Sequence, residues 1–184
     1  MAQLKRQLQF KERKTMLTYI WAEDLDRGIG YQGHLPWHLP ADLHHFKELT
    51  MGRAMVMGKN TFLSLPKVLP GRKHLVLTHD RNLAKKYEGD EQVEFFYDLT
   101  SLKKFLKTNH DQEFAVIGGA SIFKALENEV DRLEMTKIKG VFAADTFMPK
   151  LDFGKFEIIH QEQHAHDDRN DYDYTFFTYK RKNV

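Results

Sequence analysis

The chain of 184 residues contains no cysteine. Disulfides, thiolate-bound zinc and cysteine nucleophiles are thereby excluded, and a reducing cytoplasm is the compartment that fits. The sequence also lacks any run of about 18 apolar residues, the length needed for a helix to cross a bilayer. Neither sign of charge dominates, since 28 Lys and Arg stand against 26 Asp and Glu for a net charge of +2. Charges so balanced and interspersed give no basis for a nucleic-acid or membrane-surface partner. The opening MAQLKRQLQFKERKT is basic but has no apolar segment that would make it a secretory signal, and no serine of the kind transit peptides carry. It reads as a flexible extension, residues 1–15, ahead of a single domain at 16–184 that begins with Met16.

What is present is the alternation of an α/β protein. MLTYIWAE (16–23), AMVMG (54–58), KHLVLT (73–78), VEFFY (93–97) and EFAVIGG (113–119) are apolar, strand-length runs. Between or after them lie helical patterns. Pro40 suits the first turn of a helix continued by ADLHHFKELT and stopped by Gly52. A second helix is expected after Gly58, and a third after Asp98, where Leu99, Leu102, Phe105 and Leu106 share a face. A fourth covers SIFKALENE. RLEMTKIK, KFEIIHQEQ and YDYTFFTYK complete the strands, the last two as an antiparallel hairpin. Helices between strands imply crossover connections and a partly parallel sheet.

One motif misleads. GIGYQG (28–33) matches the dinucleotide fingerprint G-x-G-x-x-G, whose glycines must open a helix facing a pyrophosphate. Here they run into His34-Leu35-Pro36-Trp37-His38-Leu39-Pro40, and the two prolines forbid an immediate helix. The stretch is a turn-rich loop.

Asp42 carries more information. On the helix begun by Pro40 it shares a face with Phe46 and Leu49, with Leu43 beside them. Two readings stand together. A first-turn acid can simply complement the helix dipole and stay exposed. Alternatively, an acid beside Leu43, Phe46 and Trp37 suits a flat, nitrogen-rich heterocycle held by paired hydrogen bonds, and burial would raise its pKa. Only one carboxylate is evident at this site, so a two-acid hydrolytic arrangement has no support.

In these residues the sequence resembles the dihydrofolate reductase family. GIGYQGHLPWHLPADLHHFK (28–47) is similar to its catalytic loop, Pro-Trp turn and acid-bearing helix. VMGKNTFLSLP (56–66), LPGRKHLVLTH (69–79), FAVIGGASIF (114–123), MTKI (135–138) and ADTFMP (144–149) follow in register. The resemblance spans 16–182 and is nearest to short bacterial members. It implies a three-layer fold: a central, mostly parallel eight-stranded sheet with an antiparallel C-terminal hairpin and four flanking helices. It further implies hydride transfer from C4 of NADPH to C6 of dihydrofolate with a proton reaching N5, in a monomer sensitive to antifolates such as methotrexate and trimethoprim.

Carried over residue by residue, the resemblance makes Asp42 the pterin anchor, Thr136 its support and Trp37 the residue that orders an associated water. Ile20, Ala22, Leu35, Leu43 and Phe46 match substrate contacts, as do Leu65, Leu69 and Ile117. Arg72 matches the clamp on the substrate's glutamate carboxylate. For the cofactor, Gly118, Gly119, Ala120, Ser121 and Phe123 form one loop, and Gly58, Lys59 and Thr61 a second. Lys59, Thr78 and His79 fall where the adenosine 2′-phosphate binds, and Ile29, Gly30 and Leu35 border the nicotinamide. Four positions depart from the usual pattern. Leu35 stands for methionine, Ala120 for a third glycine, Phe123 for tyrosine, and Lys59 for a frequent arginine, which keeps charge but loses bidentate geometry.

Other readings are weaker. The ten histidines show no cohesive metal-ligand spacing, and no metal is expected. A related NADPH reductase acting on another pteridine or a pyrimidine shares the general pattern. The joint presence of Trp37, Asp42, Phe46 and Arg72 favours folate. An inactive folate-binding protein is a further alternative, opposed by the intact acid and glycines.

Overall fold

The computed structural model describes residues 16–183; the expected extension at 1–15 lies outside them. Eight strands form one sheet: β1 (Met16–Glu23), β3 (Ala54–Gly58), β4 (Lys73–Leu77), β5 (Val93–Phe96), β6 (Glu113–Gly118), β7 (Arg132–Ile138), β9 (Phe156–His164) and β10 (Tyr174–Arg181), in the order β5-β4-β3-β6-β1-β7-β10-β9. Every pairing from β5 to β7 is parallel, whereas β10 pairs antiparallel with both β7 and β9. The expected mostly parallel sheet with its antiparallel C-terminal hairpin is present. Two very short strands, β2 (Gly28–Gly30) and β8 (Thr146–Phe147), pair separately.

Chemistry explains the strand positions. β1 is apolar along nearly its whole length and buried on both faces at the middle of the sheet, as parallel strands covered by helices must be. β9, FEIIHQEQH, is largely polar and almost wholly exposed, which suits the edge it forms. Along β3 the side chains alternate. Val56 joins a cluster with Leu75, Leu102, Leu106, Ile122 and Phe123, while Met55 and Met57 join Phe62, Val76 and Leu83 on the other face.

Helices cover both faces: α1 (Pro40–Thr50), α2 (Lys59–Ser64), α3 (Arg81–Lys86), α4 (Leu99–Thr108) and α5 (Ala120–Ala125). Four flanking helices were expected, and α3 is the addition. Its six residues, RNLAKK, bury only Leu83, too little periodicity to read from sequence. The Asp80 side chain starts it by accepting from the Leu83 N–H at 2.9 Å. GIGYQG opens no helix; Gly28–Gly30 is β2, and Tyr31 and His34 exchange backbone hydrogen bonds of 2.8 and 3.0 Å.

Candidate active site

A cavity of about 920 Å³ opens beyond the carboxyl ends of β1, β3, β4, β6 and β7, where open α/β sheets bind ligands. Its volume lies in the range of small-molecule sites. One wall is the face of α1 read from sequence: Asp42, Leu43, Phe46 and Leu49 all line it. Pro40 occupies the first turn. The N–H of Ala41, which has no helical acceptor, donates to Asn170 Oδ1 at 2.9 Å.

Asp42 does not stay exposed in the first turn. It is 9% exposed, and its pKa is pushed from the ordinary 3.8 to about 6 because burial penalises the charged form more than the Thr136 hydrogen bond favours it. Asp42 is a desolvated acid on an apolar cavity wall and no mere dipole partner. Ile20 and Ala22 of β1, Leu65 after α2, Ile117 of β6 and Thr136 of β7 border the same space. Register explains part of this, since Ile20 pairs with Glu134 and Ala22 with Thr136, which puts all four on one face of the sheet.

The opposite wall is built from turns. Gly58, Lys59 and Thr61 come from the start of α2, and Gly119, Ala120, Ser121 and Phe123 from the start of α5. Both helices lack a side-chain N-cap, whereas α3 and α4 are capped by Asp80 and Asp98. Two uncapped N-termini facing one cavity leave backbone N–H groups free for phosphate oxygens. At Gly118, φ is +114° and a Cβ would stand 3.2 Å from the Phe123 ring, so the chain can enter α5 this way only with glycine. Thr78 and His79 close this end, while Ile29, Gly30 and Leu35 border it from the β2 loop. That loop is tied down by Gln32 N–H donating to Asp145 Oδ2 at 2.8 Å.

These features match a known family. The family model for dihydrofolate reductase matches residues 16–181. The chain belongs to the dihydrofolate reductase family. It is 37% identical over 168 residues to the dihydrofolate reductase of Bacillus subtilis (strain 168), covering 91% of this chain and 96% of that protein. Against the Lactococcus lactis enzyme the identity is 36% over 170 residues, covering 90% and 98%. The solved structure of the Enterococcus faecalis dihydrofolate reductase, complexed with NADP(H) and RAB-propyl, superposes with a TM-score of 0.81 at 32% identity, covering 92% of this chain and 98% of that one.

Within this dihydrofolate reductase fold, four expected site residues lie off the cavity wall: Trp37, Leu69, Arg72 and Gly118. Trp37 is buried behind it, edge-on to Phe142, and its indole N–H has no acceptor among the described residues. Arg72 is 7% exposed and donates to the Pro70 carbonyl at 3.0 Å and Thr50 Oγ1 at 3.3 Å. Among the described residues it has no carboxylate partner. Leu69 N–H is taken by His74 Nε2 at 3.1 Å, which holds the loop before Arg72. Phe123 packs: its ring lies 4.9 Å from that of Tyr19, whose hydroxyl donates to the Phe123 carbonyl at 2.6 Å.

Sequence reasoning missed Glu134. The site was expected to hold a single carboxylate, yet Glu134 lines the cavity at 4% exposure. Its oxygens accept from Arg132 Nε at 2.6 Å and Thr178 Oγ1 at 2.8 Å. His45 lines the cavity too, with its ring stacked 3.9 Å from Phe176. Strand alternation carried the signal, because Glu134 is two residues before Thr136. Among the described residues no group of three or more His, Asp or Glu is arranged to hold a metal.

Proposed function

We propose that this protein reduces dihydrofolate to tetrahydrofolate with NADPH, supplying one-carbon metabolism. The observation that carries this is the pairing within one cavity of a buried acid, Asp42, with two uncapped helix N-termini on the facing wall. The residues suit both ligands. Bound NADPH would supply the hydride from its C4 to pterin C6.

Asp42, steadied by Thr136, pins the pterin through its 2-amino group and adjacent ring nitrogen. Ile20, Ala22, Leu43, Phe46, Leu65 and Ile117 hold the ring and its aminobenzoyl extension by apolar contact. Trp37 offers its unpartnered N–H to a water, since a buried donor without an acceptor costs about 1–3 kcal/mol. That water and the raised pKa of Asp42 favour a proton at N5. Arg72, buried with no acidic partner among the described residues, awaits the glutamate carboxylate; a planar guanidinium can meet it with two parallel hydrogen bonds. Leu69 stands in the loop leading to Arg72. The N-terminal N–H groups of α2 and α5 hold the cofactor's phosphates, helped by Thr61, Ser121 and the close approach that Gly58, Gly118, Gly119 and Ala120 permit. Lys59, Thr78 and His79 receive the 2′-phosphate. Ile29, Gly30 and Leu35 cover the nicotinamide and exclude water. The same cavity would take the folate-like antifolates methotrexate and trimethoprim. We further read residues 16–184 as one domain acting as a cytoplasmic monomer.

The test is NADPH oxidation followed by absorbance, with dihydrofolate, with NADH in place of NADPH, and without folate. Rapid loss that needs both dihydrofolate and NADPH is expected. A folded, cofactor-binding protein with no turnover would point instead to another pteridine reductase or a binding protein.

A further inference from the structure

Beside the end of the cavity assigned to the 2′-phosphate, bonded to its lining residues but not itself on the wall, lies an acid that no part of the reaction uses. Asp80 follows Thr78 and His79 and contacts two of the three residues assigned to the phosphate. Its Oδ2 accepts from Lys59 Nζ at 2.7 Å, and its backbone N–H donates to Thr78 Oγ1 at 3.1 Å. The other oxygen, Oδ1, is fixed as the N-cap of α3, accepting from Leu83 N–H at 2.9 Å. The carboxylate is therefore anchored on one side and presented to Lys59 on the other. The lysine and aspartate side chains stay partly open to solvent, at 40% and 30% exposure, so an incoming ligand can reach them. The neighbouring Arg81 guanidinium lies 4.1 Å from the centre of the Tyr97 ring.

The consequence concerns selectivity. A lysine at this end favours a cofactor with a 2′-phosphate over one without, because the extra charge is attracted to it. Here that lysine is already neutralised, and a phosphate drawing close to Lys59 must also approach the Asp80 carboxylate. Attraction and repulsion oppose each other at one point. A ligand with a bare 2′-hydroxyl meets no such repulsion. We propose that Asp80 is a specificity-determining residue that competes with the 2′-phosphate for Lys59 and so narrows the enzyme's preference for NADPH over NADH. This rests on the placement of the 2′-phosphate at Lys59.

Asp80→Asn tests it, because asparagine caps helices as well as aspartate does and removes only the charge. Affinities are measured by titration calorimetry, without turnover, for adenosine 2′,5′-bisphosphate and for adenosine 5′-monophosphate, alongside NADPH and NADH. The substitution is expected to tighten the 2′-phosphorylated ligands by roughly three- to tenfold and to change the others less than about twofold. Asp80→Ser, a second neutral cap, must do the same, which separates the charge effect from any loss of α3. In a Lys59→Met background the gain from Asp80→Asn should shrink, because the competition for the lysine is gone. An unchanged ratio of affinities in both neutral variants overturns the proposal. Wild-type protein that binds the two adenosine ligands equally, with Lys59→Met without effect, overturns the phosphate placement and the proposal with it.

Discussion

Asp42 sits where two electrostatic effects oppose each other. The dipole at the N-terminus of α1 favours a carboxylate, and Thr136 adds a hydrogen bond, but desolvation wins and the pKa stands at about 6. A carboxyl that binds its proton more tightly folded than unfolded costs stability as pH rises. The cost begins near the ordinary 3.8, is complete above about 6, and amounts to roughly 3 kcal/mol. Asp42→Asn, which mimics the protonated acid, is therefore expected to stabilise the fold by about 2–3 kcal/mol at pH 8 and by little at pH 4. Urea unfolding at the two pH values measures this, and an equal difference at both would show that Asp42 is not the strained group. The same variant should lose about 10²–10³-fold in turnover at pH 7. In the wild type kcat/KM should decline as pH rises through about 6, the pKa of the free enzyme's Asp42. The variant should lack that inflection. Stability would rise where activity falls, as expected when a functional group is held at a cost to the fold. Which way the balance fell could not be read from a first-turn aspartate alone, since the deciding quantity is burial against β1 and β7, both distant in sequence.

At the scale of elements, β7 shows why part of the site was legible and part was not. A hydropathy reading treats the Glu of RLEMTKIK as a solvent-facing position, and Thr136 stood out only through the family pattern. The sheet makes both face the cavity. β10 lies beyond β7 and supplies Thr178 opposite Glu134 and Phe176 opposite Thr136, so the acid is buried but satisfied. Phe176 in turn carries the ring of His45 from α1. Desolvation lowers the His45 pKa, and Glu134 is the first of the charges that resist the fall, followed by Glu48 and Glu162, with His44 acting the other way. Glu134→Gln should thus lower the His45 pKa further, read from its ring resonances in an NMR titration. The isosteric amide can still accept from Thr178, which makes the fold a poor explanation for the change. An unshifted His45 would mean that the two groups do not communicate across the cavity. Three of the shortest elements were the other gap. β2, β8 and α3 contain too few side chains to establish a period, and each is fixed by tertiary partners or by a single cap.

The whole molecule is organised around β1; that it is a strand was legible from its nearly continuous apolar run, but its central place was not. Its neighbours β6 and β7 lie far along the chain, with Met16 in register with Glu113 and Thr18 with Arg132, so no local pattern reveals the strand order. The crossover connections required by the alternation of helices and strands imply only that parallel pairing exists. From its first residue β1 is engaged: Met16 is in register with Glu113, and the Leu17 N–H donates to Asp131 Oδ2 at 3.1 Å. Two residues on, Tyr19 is fully buried with its hydroxyl on the Phe123 carbonyl. The family match likewise begins at residue 16. If residues 16–184 are the domain, a chain starting at Met16 should keep an unfolding midpoint within about 2 °C of the full chain and the same kcat/KM. A chain starting at Ile20 should not unfold cooperatively. It loses Tyr19, whose removal alone is worth about 3–5 kcal/mol, together with half of the strand that joins the two sides of the sheet, against a total stability of only about 5–15 kcal/mol. Calorimetric melts of the three chains decide the matter. A Met16 chain that melts well below the full one would place residues before Met16 in the folded domain, whereas a cooperative Ile20 chain would mean that the centre of this sheet is not its keystone.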